Sequence, residues 1–183
     1  MPEELTGRCV AVLVDNYYQE LEVWYPLLRM REAGAEVFTI GTEAGTTYKS
    51  KMGYPVEADR AIDDVSVEDF DVLIIPGGWA PDYMRRNPQF VGLVADSDQA
   101  GKVIGAICHG PWMLCSAGVL RGRRVTAFHS IKDDVVNAGA SYVDDEVVVD
   151  QNLVTSRVPG DLPAFCQAII SAVGLLDGKA ENT

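Results

Sequence analysis

Three short, wholly apolar runs constrain this chain more than any other feature. They are Cys9-Val10-Ala11-Val12-Leu13-Val14, Val72-Leu73-Ile74-Ile75 and Val103-Ile104-Gly105-Ala106-Ile107. Rich in β-branched residues and lacking polar alternation, each predicts a strand buried on both faces, as in the middle of a parallel sheet. Between them lie stretches of helical spacing. Residues 20–33 carry Leu21, Trp24, Leu28 and Met30 as an apolar face and stop at Gly34, and residues 88–101 read as a second helix. Further strands are expected at 36–40, 56–61, 125–128, 147–149 and 153–156. A helix is expected to start at Cys108 and a closing one to span 162–176. This alternation implies an α/β domain with a mainly parallel central sheet. A length of 183 residues fits one domain, 1–183, with 177–183 as a frayed tail.

Composition removes several classes of function. The chain holds 27 acidic against 15 basic residues, a formal charge of −12, and no basic stripe, which disfavours binding to a nucleic-acid backbone. No apolar run approaches the roughly 18 residues of a membrane span, and the acidic start does not read as a signal peptide. Four cysteines, Cys9, Cys108, Cys115 and Cys166, lie far apart without CxxC pairs, which points to a reducing, cytoplasmic setting. Two isolated histidines without HExxH spacing give no metal site, and no glycine-rich phosphate loop is present, so no cofactor is expected.

In sheets of this kind, sites form at the carboxyl ends of strands. Three loops qualify: 15–19, 77–82 and 108–111. Ala106-Ile107-Cys108-His109-Gly110-Pro111 follows the small-x-nucleophile-x-Gly pattern of a strand-turn-helix elbow. A cysteine at a helix N-terminus would meet unpaired amide donors, so its pKa is expected to be lowered. His109 is an immediate neighbour; were both residues helical, it would point about 100° away, making direct proton exchange awkward. His129 follows another short strand and could approach the same crevice or lie elsewhere. Gly77 and Gly78 offer backbone N–H groups to a developing oxyanion, or form an ordinary turn. Glu22 stands one turn into the first helix, either solvated or held beside the thiol with a raised pKa. Cys9, Cys115 and Cys166 fall in apolar patterns and read as inert.

Taken in order, five segments resemble the PfpI-type intracellular protease family. They are Glu20-Leu21-Glu22-Val23-Trp24-Tyr25-Pro26, Pro76-Gly77-Gly78-Trp79-Ala80-Pro81, the Cys108 elbow, Ile131-Lys132-Asp133-Asp134 and Leu153-Val154-Thr155-Ser156-Arg157. That family lies in the superfamily of the Parkinsonism-associated protein deglycase and the class I glutamine amidotransferase domains. The resemblance implies a flavodoxin-like three-layer sandwich, Cys108 as nucleophile, Glu22 as the carboxyl touching it, and Gly78 with the His109 amide in an anion pocket. It also implies a homodimer or hexamer. Where such proteases have a glutamate paired with the neighbouring subunit's histidine, this chain has Asp82, one methylene shorter. Phe128 stands where the family commonly has His or Tyr, with His129 one place later. The His-x-Glu arrangement of a glutamine amidotransferase is absent from His129-Ser130-Ile131.

The resulting expectation is a cysteine-dependent enzyme with Cys108, His109 and Glu22 as catalytic residues. Its substrate would be a reactive carbonyl, a glycated adduct or a peptide, in stress protection. The alternative is a non-enzymatic redox sensor or stress holdase working through oxidation of Cys108.

Overall fold

The computed structural model describes residues 4–180. In chain order its elements are β1 (Cys9–Leu13), α1 (Glu20–Glu32), β2 (Glu36–Gly41), β3 (Thr47–Lys49), β4 (Pro55–Glu57), β5 (Arg60–Ala61), β6 (Val72–Ile75), α2 (Ala80–Met84) and α3 (Pro88–Gln99). They continue with β7 (Val103–Ile107), α4 (Pro111–Ala117), β8 (Arg124–Val125), α5 (Lys132–Asn137), β9 (Ser141–Tyr142), β10 (Val147–Asp150), β11 (Leu153–Ser156) and α6 (Leu162–Ala180).

The three apolar runs become β1, β6 and β7, neighbours in a seven-stranded sheet of order β10-β11-β7-β6-β1-β2-β5. All pairings are parallel except that of β10 with β11. Val10, Val12, Ile74, Ile75, Val103 and Ile107 are fully buried, as strands covered on both faces must be. Each such side chain contributes about 1.5–3 kcal/mol of hydrophobic stabilisation. Helix α1 packs against α6, and α3 against α4 and the sheet, so helices flank the strands as expected.

From β1 the chain moves to β2 on one side, and from β6 to β7 on the other. The strand order therefore reverses between β1 and β6, and a crevice opens at their carboxyl ends. A single antiparallel bridge, Tyr18 to Gly78, ties the two loops there together. The hairpin β3–β4 is fastened beside them: the Tyr17 N–H donates to the Lys49 carbonyl (2.6 Å) and the Lys51 N–H to the Tyr18 carbonyl (3.0 Å). A separate apolar groove of about 550 Å³ runs between α1 and this hairpin, lined by Leu21, Trp24, Leu28, Met52 and Tyr54. Among the described residues no helix is long and apolar enough to cross a membrane.

Several expected boundaries move. The strand expected at 56–61 divides in two: β4 pairs with β3, and β5 with β2. Asp59 lies between them, where its carboxylate accepts from the Thr39 N–H (2.8 Å) and hydroxyl (2.9 Å). The strand expected at 125–128 ends at Val125 and pairs with β9 outside the main sheet. The Phe128 N–H instead donates to the Cys108 carbonyl (2.9 Å), turning the chain toward the crevice. Helix α6 runs past the expected Leu176 to Ala180, and residues 181–183 of the expected tail lie outside the described residues.

Candidate active site

Strand β7 delivers Cys108 into the crevice, but α4 begins only at Pro111. The helix expected to start at the cysteine starts three residues later. In between, Cys108 adopts φ +62°, a left-handed backbone rarely taken by residues with a Cβ and worth about 1–2 kcal/mol of strain. Its backbone is held from both sides: the N–H donates to the Ser156 carbonyl (3.0 Å) and the carbonyl accepts from Phe128. The Gly110 N–H closes the turn on the Ile107 carbonyl (2.7 Å).

This turn changes the relation of Cys108 to His109. Neither residue is helical, and the His109 Nδ1 lies 3.2 Å from the Cys108 Sγ, within proton-transfer reach. The expected awkward geometry therefore does not arise. On the other side of the ring, Nε2 faces the Ser130 hydroxyl at 3.4 Å. Phe128 stacks on the imidazole and Trp112 meets it edge-on, with centroids 5.1 and 4.9 Å away. Burial lowers the His109 pKa, with nearby Lys51 and His129 adding to the effect, so the ring is neutral near pH 7.

The carboxyl partner arrives from α1. Gln19 caps that helix, its side-chain oxygen accepting from the Glu22 N–H (3.0 Å), and Glu22 turns inward, fully buried. Its Oε2 accepts the Gly77 N–H at 2.8 Å, while Oε1 is buried with no hydrogen-bond partner among the described residues. An ionised carboxylate with one bare buried oxygen is unfavourable, whereas a protonated Oε1 can donate to the adjacent thiol. Burial accordingly raises the Glu22 pKa to about 7, against the lowering by the Gly77 N–H and by Cys108.

Gly77 has no room for a side chain. A Cβ there would come within 2.6 Å of Glu22 Oε2, 2.7 Å of Cys108 Cβ and 2.8 Å of His109 N. Because its N–H is engaged by Glu22, Gly77 cannot serve an oxyanion as expected. Gly78, at φ +75°, retains that possibility: its N–H and that of His109 both face the cysteine sulfur.

The expected lowering of the thiol pKa is not found. Burial pushes Cys108 up, and the Glu22 carboxylate beside it raises it further, to about 12, outweighing the two amide donors. When Glu22 is protonated, the repulsion gives way to an O–H donor and the thiolate has three donors around it. The two side chains therefore behave as one coupled acid that carries a single negative charge and shares one proton. Moving that proton from Sγ to Glu22 creates the thiolate without changing the net charge of the pocket.

A cavity of about 270 Å³ opens above the pair, lined by Gln19, Lys51, Trp79, Trp112, Phe128 and Pro159. Phe128 forms an apolar wall, as its sequence position predicts. Asp82 forms an ion pair with Arg86 and does not contact His109 within the chain; Ser130 faces that ring instead. His129 packs on Phe128, with centroids 4.4 Å apart, rather than on the thiol. Cys9, Cys115 and Cys166 are unbridged, and burial raises all three thiols. Among the described residues no group of three or more His, Cys, Asp or Glu is arranged to hold a metal. Lys51, Gln19 and Ser130 escaped sequence reasoning. Lys51 and Gln19 reach the cavity through the hairpin and a helix cap, and Ser130 reaches His109 from a 3₁₀ turn, none of which has a motif.

The family model described as DJ-1/PfpI matches residues 8–172. The protein/nucleic acid deglycase 2 of Escherichia coli is 47% identical over 170 residues, covering 92% of this chain and 99% of that protein. The crystal structure of Drosophila melanogaster DJ-1beta superposes with a TM-score of 0.85 at 31% identity, covering 91% of this chain and 90% of that one. A two-domain protein from Anabaena variabilis, with DJ-1/ThiJ/PfpI-like and ferritin-like domains, gives a TM-score of 0.89 at 42% identity. The match covers 91% of this chain but only 48% of that larger one.

Proposed function

The chain belongs to the DJ-1/PfpI family, and from that premise we propose that it is a thiol-dependent enzyme converting small 1,2-dicarbonyl compounds to 2-hydroxy acids. We propose the same chemistry for the early hemiaminal adducts such compounds form on protein amines, after the C–N bond breaks to release the amine and restore the aldehyde. The observation that carries this reading is the coupled Glu22–Cys108 pair at the floor of a cavity of about 270 Å³. Walls formed by Trp79, Trp112 and Phe128 suit a small molecule better than an extended peptide.

In this mechanism the Cys108 proton passes to Glu22 and the thiolate attacks the aldehyde carbon, giving a hemithioacetal. The oxygen of that adduct, on the carbon now bonded to sulfur, takes up charge two bonds from the sulfur, where the N–H groups of Gly78 and His109 can follow it. His109 Nδ1, neutral and next to the sulfur, then carries the proton from the former aldehyde carbon to the adjacent carbonyl carbon by way of an enediol. The first carbon is oxidised to a thioester, the second is reduced to an alcohol, and water releases the hydroxy acid. Ser130 accepts from Nε2–H and so holds the tautomer in which Nδ1 is free to act as base. The relative named deglycase supports this class of reaction.

The test is methylglyoxal consumption with lactate detection, without glutathione, by the wild type and Cys108→Ser in parallel. Turnover that depends on Cys108 is expected. Equal rates in the two proteins would overturn the reading.

A further inference from the structure

Apart from the Glu22 carboxyl and the His109 imidazole beside Cys108, the polar groups facing the cavity are donors. Gln19 lines it, and because its side-chain oxygen is engaged by the Glu22 N–H, the NH₂ end remains to donate. Gly78 and His109 contribute backbone N–H groups. Glu22 lies at the floor, fully buried, with one oxygen taken by Gly77. Besides the His109 imidazole, whose Nδ1 faces the sulfur, there is Lys51, an exposed residue whose ammonium makes no ion pair among the described residues. Glu20 and Glu22 both feel that charge; the Glu20 carboxylate is engaged by the Met52 N–H (2.7 Å) and by Ser50.

The location of Lys51 is also fixed rather than incidental. Its own N–H donates to the Tyr18 carbonyl, one residue from the position where Tyr17 and Gln19 grip the glycine loop. A chain of formal charge −12 repels anions at long range, so a lone cation at the mouth of its reactive cavity changes which molecules can enter. Donors on the reacting side, apolar walls and one ammonium at the rim are complementary to a carbonyl compound with a negative charge at its far end.

Resting on the dicarbonyl reading above, we propose that the preferred substrates are 1,2-dicarbonyls bearing a carboxylate or phosphate group. Lys51 takes that charge while the aldehyde carbon meets Cys108. For 4,5-dioxopentanoate the steps balance as before: Sγ adds to C5 and the C5 hydrogen moves as a proton to C4. Hydrolysis of the C5 thioester then gives 2-hydroxyglutarate, with water as the only co-reactant.

The experiment compares kcat/KM for 4,5-dioxopentanoate with that for methylglyoxal in the wild type, Lys51→Met and Lys51→Arg. The ratio of the two values is expected to favour the anion in the wild type and fall about tenfold in Lys51→Met, the scale of one charge-assisted contact. It should be largely kept in Lys51→Arg, and molar salt should compress it in the wild type but not in Lys51→Met. A ratio unchanged by Lys51→Met overturns the proposal. Protection of Cys108 from iodoacetamide by each compound is measured alongside, since hemithioacetal formation needs no turnover. Charge-selective protection without turnover would refute the enzymatic reading and retain the anion site, whereas equal protection by both compounds would refute the site itself.

Discussion

Replacing Glu22 by glutamine isolates what it costs this fold to bury an acid beside a thiol. The amide keeps the shape, can still accept the Gly77 N–H, and titrates in neither state. In the wild type the carboxyl has a pKa of about 7 when folded against 4.5 for the free group, so the native state holds a proton that the unfolded chain has released. Stability therefore falls as pH rises from 4.5 to 7 and is flat on either side. Each pH unit in that window removes about 1.4 kcal/mol, which accumulates to about 3 kcal/mol. Glu22→Gln escapes this slope, so its advantage should grow by about that amount between pH 5 and 8.5. For a domain of this size that corresponds to roughly 6–12 °C in Tm. The assay is urea and thermal unfolding across that range, with both proteins in a Cys108→Ser background to remove the thiol titration. Stability curves that run parallel would mean that Glu22 is ionised in the native protein throughout, and the shared-proton account would fail.

Three further outcomes follow from the same geometry. Methylglyoxal consumption should rise with pH and level off above about 7, where the pair acquires its charge, and Glu22→Gln should lose that limb in a pH–rate profile. Gly77→Ala should cost about 1–3 kcal/mol in urea unfolding, because its methyl meets backbone at His109. The same variant should lower kcat roughly 100-fold by parting Glu22 from Cys108; near-wild-type kcat would contradict the role given to that contact. Ser130→Ala should lower kcat about 3–10-fold with little change in KM, as expected for loss of one orienting hydrogen bond. An unchanged kcat would leave His109 oriented by its aromatic neighbours alone.

The sequence was most legible where burial alone decides the structure. Uninterrupted apolar runs can satisfy burial on both faces only as central strands, and β1, β6 and β7 appear where expected. Cys108, Glu22 and Gly78 each sit at a strand end or first helical turn that topology carries to one crevice, but spacing left Glu22 open between solvent and the thiol, and only the family resemblance put it beside Cys108. What could not be read was the balance of opposing terms. The amides near Cys108 were visible in the elbow pattern, but the burial that outweighs them depends on side chains brought in by distant loops. The placement of His109 likewise turned on a left-handed residue that shifts the helix start by three positions. Phe128 shows the same limit at β8: a hydrogen bond to Cys108, invisible to local patterning, ends the strand early.

The floor and walls of the cavity have separate origins. Glu22, Gly77 and Cys108 are fixed to one another by close backbone approach, leaving no space for even a methyl group. Trp79 precedes α2, Trp112 stands on α4, and Phe128 follows β8; the Phe128 backbone is bonded to the Cys108 carbonyl, whereas its ring and that of Trp112 pack on His109. Because that Phe128 bond runs through the backbone, exchanging the wall side chains would reshape the cavity while leaving the contacts among Glu22, Gly77 and Cys108 in place. Under the proposed function, the side chains that choose the substrate and the contacts that make the thiolate would therefore be open to change separately.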